Sequence, residues 1–168
     1  TDVRADGQVV KLTFSDGMQI EALPAFANTD WYGNTTYQYP DTNMGGNWRS
    51  TNPKAEQGSM KNKNTSSRGL LFDTCKHMRF IRDNYFSSYH LSGIVIDSFA
   101  YVAMGNWCWT ENSSPSAVSD GRFEQELYNY FLNYCRYSSS IQAPGSNQSV
   151  DLRTSKDCLE KVLHKITQ

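Results

Sequence analysis

Two side chains stand out for the chemistry they could do. Glu21 sits inside the run MQIEALPAF, residues 18–26. A strand carboxylate is either a solvent-facing acid or one ligand of a divalent cation. Mg2+ takes hard oxygen donors, and two-metal phosphoryl transfer needs several carboxylates around it. Glu21 alone cannot hold such a site. Lys76 lies in LLFDTCKHMRFIRD, residues 70–83. A lysine there either offsets phosphate charge or stands solvated on a helix. Arg79, one turn on, shares its face and could assist.

The elements that must position these residues follow from periodicity. VVKLTFSDGMQIEALPAF, residues 9–26, reads as a β-hairpin. Val10, Leu12 and Phe14 alternate with Lys11 and Thr13, and Ser15-Asp16-Gly17 is turn chemistry. Met18 and Ile20 then fall on one face and Glu21 on the other. Pro24 lacks an N–H and ends or edges the strand. Asp2 and Asp6 sit on a polar leader. A lone hairpin is marginally stable, so a sheet beginning upstream is expected.

Residues 28–66 hold no period of 2 or 3.6 and predict one long connecting loop. Loops of that length are usually functional or mobile. Trp31, Tyr32, Tyr37, Tyr39 and Trp48 suggest that it packs down. Residues 67–168 predict about four helices: one from near Arg68, one from His90 to Met104, one from Arg122 to Tyr137, and one starting near Thr154. Asp120 is the expected N-cap of the third, and Thr154 with Asp157 caps the last. The division expected is therefore 1–27, 28–66 and 67–168.

Composition narrows the classes. The formal net charge is −1, which gives no global attraction to nucleic acid or an anionic membrane. No run approaches the roughly 18 apolar residues of a membrane span. TDVRADGQ opens the chain without signal-peptide character. The first residue is not Met, which suggests a processed product or a cut chain. Cys75, Cys108, Cys135 and Cys158 lack the C-x-x-C spacing of zinc sites. Two disulfides are arithmetically possible. Three of the four lie in helical, apolar surroundings, however, so free thiols and a cytoplasmic location are expected. Sequons at Asn34, Asn64, Asn112 and Asn147 point the other way, but abundant Asn, Ser and Thr make them expected by chance.

Four blocks come in order: VVKLTFSDGMQIEALPAF, YPDTNMGGNWRSTNPK, LLFDTCKHMRFIRD and HLSGIVIDSFAYVAMGNW. This order resembles the C-terminal part of a CD-NTase, the bacterial nucleotidyltransferases similar to animal cyclic GMP–AMP synthase and oligoadenylate synthase. The resemblance covers residues 9 to 107 and extends to the trailing helices. It implies an α+β fold: the last β-hairpin of a polymerase-β-like palm, followed by a helical, oligoadenylate-synthase-like substrate domain. In that family a Gly-Ser loop and an acid-x-acid pair precede a third acid on a later strand. Glu21 falls on the third-acid position. The resemblance makes it a ligand of Mg2+ (or Mn2+) and the base that activates the attacking hydroxyl. The family more often has Asp there.

Lys76 falls on the family's triphosphate-binding lysine. The block after it fits two registers. SSYH places Ser88 and Tyr89 on a phosphate-binding serine and a base-stacking tyrosine. LSGIVID, judged by Asp97, instead places Ser92 and Gly93 at the pocket, with Ile94 in the stacking position. The second suits the spacing from Lys76 better, and Tyr89 remains a stacking candidate. Tyr39, Pro40, Asp41, Trp48, Asn52 and Pro53 match a block expected to be structural, with Trp48 supplying buried area.

No Gly-Ser motif and no acid-x-acid pair precede Glu21 in this sequence. The chain is therefore expected to be the back part of a longer enzyme and inactive alone, its partners being NTP substrates, the missing palm segment and effector or activator proteins. The parent would make cyclic or short linear oligonucleotide messengers, in the family's antiphage signalling. A template-independent RNA polymerase ranks lower, because the basic run KNKN is modest. A non-catalytic binding module, either a degenerate paralogue or a secreted glycan binder, is the alternative from another class.

Overall fold

The computed structural model describes residues 2–6, 8–41, 46–110, 115–116 and 122–168. The chain divides into two compact units, Thr1–Pro53 and Lys54–Gln168.

The first unit is two antiparallel three-stranded sheets. In one, β1 (Asp2–Asp6), β2 (Val9–Thr13) and β3 (Gln19–Ala22) lie in sequence order. The hairpin expected at residues 9–26 forms, closed by Phe14 N–H donating to the Met18 carbonyl at 2.8 Å. The polar leader is not loose: it is β1. Directly paired residues share a face. Val3, Leu12 and Ile20 thus line one face, and Arg4, Lys11 and Glu21 line the other.

In the second sheet, β4 (Phe26–Thr29), β5 (Thr35–Asp41) and β6 (Asn47–Thr51) form a meander. This corrects the expected loop at 28–66. The strands escaped notice because Asn, Thr and Tyr fill both faces, so no apolar alternation exists. Asp30 organises the β4–β5 turn: its carboxylate accepts from Tyr32 N–H at 2.9 Å and Asn34 N–H at 2.8 Å. Trp31 and Tyr32 do not pack down; they stand at that tip, 102% and 92% exposed. Trp48 meets Phe26 with ring centroids 5.3 Å apart yet stays 56% exposed, so it buries less than expected. Asp41 is buried and pairs with Arg49 at 2.6 Å.

The second unit is helical. α1 (Pro53–Ser66) also lies inside the expected loop. Proline suits a first helical position and Glu56 sits in the first turn. No residue of α1 is fully buried. Its half-buried positions, 55, 56, 59, 60, 63 and 64, recur with helical spacing. Only Met60 among them is a large apolar side chain, which hid the helix from the sequence. Domain boundaries at 27/28 and 66/67 are accordingly replaced by one at Pro53.

α2 (Leu70–Tyr85) buries Leu70, Leu71, Thr74, Cys75, Met78 and Ile81, a helical stripe. It packs on α3 (Gly93–Ala103) and α5 (Lys156–Ile166). Gly69 precedes α2 at φ +95°, a value that favours glycine. Ser67 Oγ accepts from Leu71 N–H, and Asn64 Oδ1 from Phe72 N–H at 2.9 Å. The sequon residue Asn64 is thus a cap for α2.

β7 (Cys108–Trp109) pairs with β8 (Pro115–Ser116). The third expected helix is two pieces, α4 (Phe123–Tyr130) and a π-helical turn (Phe131–Cys135). The expected cap Asp120 lies outside the described residues. β9 (Ser140–Gln142) and β10 (Ser149–Asp151) form a short hairpin before α5. The residue flanking α5 is Ser155, one past the Thr154 expected. Phe99, Phe131, Leu71, Met78 and Leu159 centre one core shared by α2, α3, α4 and α5.

Candidate functional site

Glu21 sits directly opposite Lys11 in the β2–β3 ladder, and their charges meet at 3.5 Å. Its side chain is 56% exposed. It offers one hard oxygen donor. Among the described residues no group of three or more His, Cys, Asp or Glu side chains could hold a metal. One carboxylate beside an ammonium does not make a Mg2+ or Mn2+ site, so no chemical step through a metal follows from this chain's own residues.

In the helical unit, α2 and the start of α3 bring several candidates together. Lys76 reaches outward, its side chain 77% exposed, and meets Asp73 at 3.5 Å. Asp73 is held in turn by the indole N–H of Trp109 at 3.0 Å. Arg79 behaves differently. Its guanidinium donates to Asp97 at 2.7 Å and to the carbonyls of Gly93 and Cys75, both at 3.4 Å. A Cβ added at Gly93 would lie 3.5 Å from that guanidinium. Arg79 is therefore a strut between α2 and α3, with Asp97 as the partner that sequence reasoning did not assign to it.

Ser92 and Gly93 open α3, where the first-turn N–H groups lack intrahelical partners. No acid stands in that first turn. Ser92 N–H donates to the buried Ser155 Oγ at 3.3 Å, which ties the start of α3 to the start of α5. Burial, then the neighbouring Asp97 charge, pushes the Cys75 thiol up to about 12. All four cysteines are free.

Ser88 is exposed. Tyr89 turns toward α5, where the Lys161 ammonium lies 5.0 Å from its ring centroid. Phe86 packs edge-on against it at 6.3 Å. The structure thus sets Gly93 beside Arg79, and Tyr89 beside Lys161. The Asp73–Lys76 pair was legible as an i,i+3 spacing on a helix. Lys161 and Trp109 had no such signal, because they reach their partners only through tertiary packing.

Comparison with known proteins adds three findings. Residues 1–64 match the model of the Second Messenger Oligonucleotide or Dinucleotide Synthetase domain. The fold is similar to the CdnE cyclic dinucleotide synthase of Elizabethkingia meningoseptica, solved with GTP and Apcpp. The TM-score is 0.61 at 11% identity, over 98% of this chain and 63% of that one. It is also similar to the STING-associated CdnE c-di-GMP synthase from Capnocytophaga granulosa, with a TM-score of 0.61 at 14% identity, over 96% of this chain and 54% of that one. No curated protein sequence matches. The chain thus spans about half to two thirds of the solved chains it resembles. The domain match covers the strands that carry Glu21, and the fold is shared with the two solved synthases over nearly the whole chain.

Proposed function

We propose that this chain is part of a nucleotidyltransferase that joins NTPs into cyclic or short linear oligonucleotides. The observation that carries the reading is the domain match at residues 1–64, which contains Glu21 on β3. A hydroxyl oxygen of one nucleotide bonds to the α-phosphorus of another, the bond from that phosphorus to the bridging oxygen breaks, and pyrophosphate leaves. Glu21 takes the hydroxyl proton on its carboxylate. Mg2+ or Mn2+ is the cofactor this reading calls for, with further acids supplied by chain beyond the described residues.

On this reading the β1–β3 sheet belongs to the end of the catalytic palm and the helical unit binds the donor nucleotide. Lys76 meets the triphosphate as a mobile, outward cation. Ser92 and Gly93 offer the open end of α3 to phosphate oxygens, which favour helix N-termini. Arg79 positions that end rather than contacting nucleotide. Ser88 and Tyr89 belong to the other register, in which Tyr89 faces Lys161 of α5. The product serves as a second messenger in antiphage signalling, in the cytoplasm. No described helix is long and apolar enough to cross a membrane.

The test is a longer chain carrying this one, incubated with α-labelled ATP, GTP, CTP and UTP and Mg2+ or Mn2+. Phosphatase-resistant product that disappears in Glu21→Gln is expected, while the present chain alone gives none. Product that survives Glu21→Gln would remove Glu21 from the reaction.

A further inference from the structure

A cavity of about 190 Å3 lies between the first half of α2, α4 and β7. It is smaller than the usual small-molecule pocket and suits a group the size of one side chain. Leu70, Asp73, Thr74 and His77 line it from α2 as one helical stripe. Phe123, Glu124 and Leu127 face them from α4, and Trp109 comes from β7. The lining takes nothing from α3 or from residues 86–92.

The formal charge of the wall has one sign. Asp73 and Glu124 supply it, and no Lys or Arg is among the lining residues. Asp73 is partly committed: it meets Lys76 at 3.5 Å and accepts the indole N–H of Trp109 at 3.0 Å. That bond also fixes the Trp109 ring, whose π face attracts a cation. Glu124 is half-buried and has no ion pair or hydrogen bond from its side chain among the described residues. A carboxylate drawn out of water without a partner is stabilised by an incoming positive charge. Leu70, Phe123 and Leu127 are buried and give an apolar floor for an alkyl stem.

We propose that this cavity binds an alkylguanidinium, the end group of an arginine side chain or of a free guanidino amine. A guanidinium forks its N–H donors to carboxylates and stacks on aromatic faces. It is also more weakly hydrated than an ammonium, so it loses less on leaving water. The two carboxylates repel phosphate, which separates this ligand from a nucleotide. The site stands whether or not the chain joins nucleotides.

The experiment titrates this chain with Nα-acetylarginine methylamide, its neutral citrulline counterpart and agmatine, followed by NMR and by calorimetry. Saturable binding of the arginine amide is expected, moving the Trp109 indole N–H and the amides of residues 123–127. The citrulline amide has nearly the same shape without the charge and should bind about fivefold more weakly or worse. Glu124→Gln should weaken the arginine amide by a similar factor with the melting temperature unchanged. The citrulline comparison uses the unaltered chain, so it holds even where the substitution disturbs folding. Agmatine binding as tightly as the arginine amide assigns the cavity to the guanidinium group itself. A preference for the amide assigns it to an arginine of a protein segment. Four outcomes would overturn the proposal: no saturable binding, shifts away from the cavity, citrulline binding as tightly as arginine, or binding indifferent to Glu124→Gln.

Discussion

At the scale of single residues, two cations one turn apart have different duties. Lys76 is exposed and lightly paired, whereas Arg79 spans α2 and α3 through Asp97 and the Gly93 carbonyl. Removing Lys76 should change stability by no more than about 0.5 kcal/mol. Arg79→Ala should cost about 1–3 kcal/mol, because a half-buried carboxylate loses its charged donor. Urea unfolding of the two variants separates them; equal losses would mean that Lys76 is structural. The thiol of Cys75 gives a pH prediction. Its folded pKa is raised from 9.0 to about 12. In the unfolded chain the thiol ionises first, so the stability it contributes is present below pH 9 and falls as pH climbs toward 12. The urea midpoint should drop over that window, and Cys75→Ala should flatten the drop. Of the candidate residues, the sequence marked Lys76 and Arg79 as neighbours by spacing. It could not tell them apart, since the difference lies in Asp97, eighteen positions away.

At the scale of elements, α2, α3 and α5 were legible because each carries a continuous apolar stripe. The β4–β6 meander and α1 were not, because their half-buried positions mix Thr, Tyr, Glu, Ser, Lys and Asn with only Met60 as a large aliphatic side chain, and no apolar stripe forms. The helix α1 instead depends on the 143–148 loop. Ser146 Oγ donates to Glu56 at 2.8 Å, and Gly145 at φ +69° leaves room for α1 to approach. A Cβ there would sit 2.6 Å from the Ala55 carbonyl and would also strike Ser59. Gly145→Ala should therefore cost about 1–3 kcal/mol. It should also open residues 53–66 to limited proteolysis before the rest of the helical unit. In the core, Phe131 begins the π-helical turn and is fully buried. Phe131→Ala should cost about 3–5 kcal/mol, read from the urea midpoint.

At the scale of the whole molecule, net charge near zero and exposed apolar surface act together. Val3, Val10 and Ile20 are exposed on one face of the β1–β3 sheet, across the sheet from Glu21. Exposed apolar patches and low net charge both favour association. Ile20→Lys should lower self-association in light scattering at neutral pH with little change in the melting temperature. Unchanged scattering would mean that this face is not the sticky one. The mixed α/β character was legible from the order of four sequence blocks. The partners of Glu21 and Lys76, Lys11 across the β2–β3 ladder and Asp73 one turn back, both form ion pairs that local spacing allows.

The tryptophans also make the molecule its own optical reporter. Trp31 is wholly solvated on the Asp30-organised turn and Trp48 is half-open, whereas Trp107 is 7% exposed and Trp109 is hydrogen-bonded to Asp73. Iodide should quench the red-edge emission of the first pair and spare the bluer emission of the second. The two units can then be watched separately in one cuvette without any label.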